Sequence, residues 1–394
     1  VEQQKLPNLM HIRAFVKVAD AGSVSKACQL LFRAQSVVTR AITSLEHRLE
    51  VPLFDRHADG MRLTDHGAAL LPRSRRVLAE LGSVAQLLRQ CAEPLYLFQV
   101  RRLQLFVKLC ETQHMQTVAS LFGLTQPAVS AAVKVLEEGC GRSLFERTVR
   151  GLRPTRVGLE ILFPIRRALN ELRRLEVDLA ARNGCLQGVV HVGALPLGRS
   201  RILPEAIVRL AAKHPAVQVV TNESPFDLLV TELRAGDLDF IFGALRAAEY
   251  SNDLRAEALL TEEMVIVVGC GNPLLQRAIT DTDLARAQWI LPRAGSPARR
   301  QLDACFKGMG MPAPKAQVES ADMAVISGIL LRSEMLAVVS ARQLERDIQR
   351  RDLCILPWPL PDTDRYIGFT YMEKYIHAPA AQALMQEIKT VIAS

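Results

Sequence analysis

Between Thr125 and Glu137 (TQPAVSAAVKVLE) the apolar residues Val129, Ala132, Val133 and Leu136 fall on one side of a helix, with Gln126, Ser130 and Lys134 on the other. Thr125 stands at an N-cap position, and Pro127 in a first turn, where its missing N–H costs little. Just upstream, Thr117–Phe122 (TVASLF) has the same one-sided apolar texture over a shorter length. Two short helices about a polar turn predict a helix-turn-helix, whose second helix can present small polar side chains to base edges in a major groove. The next stretch, SLFERTVRGLRPT, anchors on Phe145 and places Arg147, Arg150 and Arg153 around a turn at Gly151. That pattern predicts a two-stranded wing with its arginines toward the DNA backbone or minor groove.

An earlier segment repeats this pattern without a gap, at a spacing of about 91 residues. Phe15-Val16-Lys17 matches Phe106-Val107-Lys108, Gln35 matches Gln126, Val38 matches Val129, and Leu45-Glu46 matches Leu136-Glu137. In the wing, Leu53-Phe54 matches Leu144-Phe145, and Arg56, Gly60, Arg62, Thr64 and Gly67 match Arg147, Gly151, Arg153, Thr155 and Gly158. Two winged helix-turn-helix units are therefore expected, over 6–67 and 98–158. Each is followed by a helix with an apolar stripe and arginines opposite: a connecting helix in 68–97 and a linker in 159–184. The linker is expected to pair with its equivalent in another subunit, the alternative being packing against its own chain.

From Asn183–Gly188 onward the texture changes, and apolar β-like runs alternate with helical patterns. Strands followed by helices predict a parallel sheet in an α/β domain over 186–394. A second set of such runs predicts two half-domains joined by a crossing segment in each direction. Subdomain I takes about 186–270 and 363–394, and subdomain II about 271–362. The fold class is thus multidomain: two all-α winged helix-turn-helix units with linker helices, then an α/β effector domain of the periplasmic-binding-protein kind. Ligands in such a fold bind in the cleft, at strand carboxyl ends and helix N-termini.

Charge sharpens this division. Residues 1–185 hold about 27 Lys and Arg against about 17 Asp and Glu, while the rest of the chain is close to neutral. The basic half is the one with the helix-turn-helix units, where phosphates need neutralising. The eight cysteines are scattered with no CxxC pair, which suggests reduced thiols in a cytoplasmic protein. No apolar run is long enough to span a membrane, and the first residues lack the build of a signal peptide. No HExxH, GxSxG or glycine-rich phosphate loop is present, and no catalytic or metal-ligating set suggests itself. The expectation is a non-enzyme that needs no cofactor.

LTQPAVSAAVKVLE, SLFER and RPTRVG resemble the DNA-binding signature of the LysR-type transcriptional regulators. HVGALPLGRSRILPEAIVRLAAKHP, GDLDFIFGAL and SEMLAVVSAR are similar to that family's effector domain, so the resemblance covers the chain from Leu9 onward. It implies promoter DNA, a small-molecule inducer and RNA polymerase as partners, in a homodimer or homotetramer. The family plan has one helix-turn-helix, so the second copy is a departure. Two readings stay open: both copies read DNA, or one serves as a spacer or assembly surface.

For DNA the candidates are Gln35, Ser36, Thr39 and Arg40 in the first copy and Gln126, Ser130 and Lys134 in the second. Gln pairs bidentately with adenine, and Arg40 can reach guanine or phosphate. Arg56, Arg62, Arg147 and Arg153 suit backbone or minor-groove contacts, with bonding inside their own unit as the alternative for Arg56 and Arg147. For ligand, the resemblance points to Leu195, Pro196, Arg199 and Ser200, to Arg293 and Ser296, and to Ser320, Gly368 and Thr370. Ser200 and Ser296 can donate to a carboxylate near a helix N-terminus, with Arg199 or Arg293 supplying charge. An aromatic or other small organic acid is the expected inducer.

Overall fold

A computed structural model describes residues 6–57, 60–148, 151–182, 185–246, 253–373 and 375–394. Arg150, Asn183, Gly184 and the side chain of Arg56 lie outside the described set. The chain divides into two compact units near Gly188.

The first unit contains one succession of elements twice. Helices α1 (Leu9–Ala21), α2 (Val24–Leu31) and α3 (Gln35–Leu49) lead to a hairpin of β1 (Phe54–His57) and β2 (Gly60–Leu63), then the long α4 (Asp65–Leu87). After a short connector come α5 (Val100–Thr112), α6 (Met115–Phe122), α7 (Gln126–Cys140), β3 (Phe145–Thr148), β4 (Gly151–Pro154) and the long α8 (Arg156–Arg182).

The local devices repeat with the sequence. Glu46 accepts from Leu53 N at 2.8 Å and Phe54 N at 3.3 Å, and Glu137 accepts from Leu144 N at 2.7 Å and Phe145 N at 3.3 Å. Each glutamate thus fastens its helix to the start of its hairpin. Thr64 caps α4 by accepting from Gly67 N, and Thr155 accepts from Gly158 N in the same way. Gly67 and Gly158 must be glycine, because a Cβ would lie 2.1 Å from Leu53 O or 2.4 Å from Leu144 O. Phe15 meets Phe54 at 5.5 Å and Phe106 meets Phe145 at 5.7 Å. Thr125 occupies the N-cap of α7 as expected, but its side chain makes no capping hydrogen bond.

One continuous apolar core runs through both copies, and α4 packs along α8 at its centre. Leu70, Leu71, Val77, Leu81 and Val84 of α4 are buried, as are Ile161, Leu162, Ala168, Leu172 and Leu175 of α8. The expectation that the linker stripe pairs with another subunit is therefore corrected: α4 of the same chain covers it. An apolar stripe states that a partner exists, not which one.

The second unit holds two mixed five-stranded sheets. Its strands are β5 (Gly188–Ala194), β6 (Val217–Asn222), β7 (Phe240–Ala244), β8 (Leu254–Glu262), β9 (Met264–Gly269), β10 (Trp289–Leu291), β11 (Ala316–Glu319), β12 (Leu336–Ser340), β13 (Leu353–Ile355) and β14 (Arg365–Met372). The orders are β6-β5-β7-β14-β8 and β11-β10-β12-β9-β13. The helices are α9 (Pro196–Arg199), α10 (Ile202–Lys213), α11 (Phe226–Ala235), α12 (Asp281–Arg286), α13 (Pro297–Gly308), α14 (Met323–Leu330), α15 (Glu345–Gln349) and α16 (Pro379–Ala393).

Strands β5 and β7 run parallel, as do β10, β11 and β12, in keeping with the strand–helix alternation. The strands next to the crossings run the other way: β14 is antiparallel to β7 and β8, and β9 to β12 and β13. The sheets are therefore mixed, where the sequence pattern predicts parallel ones. Only Glu263 separates β8 from β9, so the outward crossing falls there rather than after 270. The run EEMVIVVG reads as one apolar strand region, and only its pairing assigns Met264–Gly269 to the second sheet.

Cys270 and Cys354 form a disulfide with Cα atoms 5.1 Å apart, which corrects the expectation of eight reduced thiols. Cys354 pairs in register with Val268, so strand pairing brings a distant cysteine beside the end of β9. The other six cysteines are free. Cys110 is pushed up to about 12 by burial and by Glu111, so it stays a thiol and a poor nucleophile.

Candidate nucleic-acid interface and effector site

Helix α3 buries Val38, Ile42, Leu45 and Leu49, which turns its opposite side outward. There Gln35, Ser36, Thr39 and Arg40 line a shallow groove of about 890 Å³ together with Thr43, Ser44 and His47. All four sequence candidates of the first copy come together on this face. Sequence reasoning misses Thr43, Ser44 and His47, although helical spacing from Ser36 and Arg40 leads to 43 and 47. Among the described residues, no carboxylate lines the groove.

Helix α7 buries Val129, Val133, Leu136 and Cys140 and exposes Gln126, Ser130 and Lys134 on one side. It meets α6 at 106°, within the range of helix-turn-helix pairs. Its outer face differs from that of α3: Ala131 stands where α3 has Arg40, Val135 where it has Ser44, and Glu138 where it has His47. Lys134 lies 3.8 Å from Glu138, an exposed pair in high dielectric that leaves the ammonium available. In the hairpins, exposed Arg62 stands opposite Asp55, and exposed Arg153 opposite Glu146. Arg147 is exposed beside them.

In the second unit the ligand candidates are spread over both sheets. Leu195 is buried and donates its N–H to Phe242 O at 2.9 Å, while Pro196 opens the single turn of α9. Arg199 is half-buried, and exposed Ser200 donates to Arg342 O at 3.5 Å. Ser296 caps α13, accepting from Arg299 N at 3.2 Å, with Arg293 exposed just before it. Ser320 follows β11, where its Oγ accepts from Asp322 N at 3.1 Å. Gly368 and Thr370 sit inside β14, and a Cβ at Gly368 would lie 1.9 Å from Glu257 O. Arg293, Ser296 and Ser320 thus gather at the carboxyl ends of β10 and β11, whereas Leu195, Gly368 and Thr370 are held within the first sheet.

The model for the "LysR substrate binding domain" matches residues 183–393, and that for the "bacterial regulatory helix-turn-helix protein, lysR family" matches 9–68 and again 100–159. HTH-type transcriptional regulator GalR of Pseudomonas putida is 63% identical over 389 residues, covering 98% of each chain. The chain belongs to the LysR family. It is a DNA-binding transcriptional regulator with a substrate-binding domain, not an enzyme. HTH-type transcriptional regulator PcaQ of Agrobacterium fabrum is 30% identical over 293 residues, covering 73% of this chain and 93% of its own length. Among solved structures, a full-length OxyR variant from Pseudomonas aeruginosa is similar in fold, with a TM-score of 0.56 and 22% identity over 75% of this chain and 94% of that one. CbnR complexed with its target DNA is similar with a TM-score of 0.54 and 19% identity, covering 74% and 99%.

This LysR-family chain also carries a polar cluster at the crossing between its sheets. Ser340 donates to Glu262, and Arg342 lies 3.5 Å from the same carboxylate. Burial raises the Glu262 pKa above the ordinary carboxylate range, against the pull of Ser340, Arg342 and Arg365. Nearby, Arg201 pairs with Glu345 at 3.0 Å and, with Ser200, lines a groove of about 900 Å³ between α10 and α14–α15. Ser200 is the one ligand candidate that lines it. Apart from Ser200, sequence reasoning singles out none of these residues, because they are scattered over more than one strand and loop.

Proposed function

We propose that both helix-turn-helix units of this regulator read duplex DNA. The observation that carries this reading is that α3 and α7 stand at equivalent places in equivalent folds, each with its polar side outward. Glu46 and Glu137 fasten both helices to their hairpins by the same two hydrogen bonds. A decayed copy would have no need to keep that device. Two further findings support the reading: the helix-turn-helix model matches twice, and PcaQ uses nearly its whole length to cover under three quarters of this chain.

The effector domain, in this reading, takes a small organic carboxylate, aromatic or otherwise. Ser296 at the α13 N-terminus, Ser320 and Arg293 supply hydroxyl and cationic donors suited to such an anion. The protein then works in the cytoplasm on promoter DNA, as a homodimer or homotetramer that responds to inducer and engages RNA polymerase.

The test for the readers is fluorescence anisotropy on an operator selected from random duplexes by the full-length protein. Gln35→Ala with Arg40→Ala and Gln126→Ala with Ser130→Ala should each weaken binding by about tenfold or more. Full affinity in the second variant would leave α3 as sole reader and the second copy as a spacer. For the inducer, isothermal titration against a panel of small aromatic and aliphatic carboxylates should give saturable heat that Ser296→Ala reduces. No heat from any of them would remove the carboxylate reading.

A further inference from the structure

Four charged residues on α4 and α8 form a reciprocal pattern. Arg76 lies 3.3 Å from Glu171, and Arg167 lies 2.8 Å from Glu80. In the repeat register Arg76 is equivalent to Arg167, and Glu80 to Glu171. Each copy therefore offers the other the same arginine and receives the same glutamate. That reciprocity, i to j and j to i, is the mark of an isologous, two-fold interface, which ordinarily joins two separate chains. The pairs advance along α4 as they retreat along α8, so the two helices run antiparallel. The midpoint of both reciprocal pairs falls at the equivalent residues Leu78 and Leu169.

Other contacts lock this arrangement inside one chain. Arg73, with a side chain 1% exposed, holds buried Glu171 at 2.5 Å and Asp178 at 2.6 Å, and its register equivalent is Pro164. Arg48 at the end of α3 pairs with Glu176 of α8 at 2.7 Å. The equivalent of Arg48 is Gly139, whose place beside α7 is filled by Tyr96 of the connector. The connector also grips both copies: Glu93 accepts from Arg13 at 2.7 Å, and Gln90 donates to Gly139 O at 2.7 Å.

We propose that a single chain is a complete DNA-reading pseudo-dimer, with α3 and α7 presented to the two halves of an imperfect inverted repeat. This rests on the two-reader reading above. The halves agree where Gln35 and Gln126, and Thr39 and Ser130, make contact. They differ where Arg40, Thr43 and His47 on one side meet Ala131, Lys134 and Glu138 on the other. The operator thus has a fixed polarity, and no second chain is needed to complete the reading head.

The experiment is complementation between two full-length variants, Gln35→Ala/Arg40→Ala and Gln126→Ala/Lys134→Ala, made singly and co-expressed with different tags. All four positions are exposed on the outer faces of α3 and α7, so the fold is kept. On the selected operator each variant alone should lose about tenfold or more in affinity. Each should also lose protection of a different half of the site. The co-purified mixture should bind no better than either variant, because no chain in it has both faces intact. Restoration of wild-type affinity by mixing would mean that readers pair across chains, overturning the pseudo-dimer while leaving two readers in place. Unchanged binding by the second variant would instead overturn the two-reader reading, and the pseudo-dimer with it.

Discussion

Arg167 reaches Glu80 from the opposite long helix through two contacts of 2.8 Å. Its register counterpart, Arg76, reaches Glu171, but there the match ends, because Glu171 is nearly sealed from water and also serves Arg73. Burial works against the charge on Arg73, yet Glu171 and Asp178 outweigh it and raise its pKa above the ordinary value. Removing the Glu171 carboxylate takes a close anion away from both Arg73, which is buried, and Arg76. Glu171→Ala should therefore cost about 3 kcal/mol or more, as breaking buried pairs does. Glu80→Ala, at the wetter end, should cost clearly less. Urea unfolding of the full-length variants measures both, and equal costs would contradict the asymmetry.

Gly139 and Tyr96 offer a second test. A Cβ at Gly139 would lie 2.3 Å from the Tyr96 ring, where backbone and ring must both shift. Gly139→Ala should destabilise by about 1–3 kcal/mol, the usual cost of overpacking. In a Tyr96→Ala background the same change should cost clearly less, because only the Cβ contact at 2.8 Å remains, so the double-mutant cycle shows coupling. Additive effects would mean that the connector does not seat on α7.

Sequence reading stops at such pairs. The repeat, the faces of α3 and α7 and the hairpins are legible because periodicity and turn residues are local signals. Gly139 carries no local sign of its purpose, which lies in Tyr96. The pairing of α4 with α8 is hidden for a related reason, since Leu70 through Val84 announce a buried stripe without naming its partner. The outward crossing at Glu263 is hidden inside an unbroken apolar run. The candidates Ser296 and Ser320, which come from the family resemblance, lie at loop ends after strands, whereas Glu262, Ser340 and Arg342 meet only through the crossing of the two sheets.

The disulfide makes a chemical count. Six cysteines are free, so thiol titration of the denatured, unreduced protein should find six and the reduced protein eight. The bond closes a separation of 84 residues. Its reduction should lower the stability of the second unit by about 4.5 kcal/mol on the chain-entropy account. Eight thiols before reduction would contradict the pairing.

Glu262 gives the effector unit a pH dependence of definite sign. Its folded pKa is raised, chiefly by burial, so the folded chain keeps a proton that the unfolded chain has lost. Stability from this group therefore falls as pH rises from the ordinary carboxylate value through the folded one. In Glu262→Gln that decline is absent. Thermal unfolding across this window should show wild type losing stability relative to the variant as pH rises. The opposite trend would mean that Ser340, Arg342 and Arg365 outweigh burial.

The outer faces of α3 and α7 carry different charges: Arg40 has Ala131 as its counterpart, and Glu138 has His47. Arg40→Ala should lower the slope of log affinity against log salt by about one, as loss of a phosphate contact does. Glu138→Ala should tighten binding, because a carboxylate on the DNA-reading face is removed. Anisotropy titrations over a salt series read both. Unchanged binding by Glu138→Ala would place that face away from DNA.

The most direct measurement is hydroxyl-radical footprinting of the full-length protein on its operator. Each bound wild-type chain should protect two tracts one helical turn apart, about 10 base pairs centre to centre. The Gln35→Ala/Arg40→Ala variant should lose one tract, and the Gln126→Ala/Lys134→Ala variant the other. A second variant whose footprint matches wild type would contradict the claim that both copies read DNA.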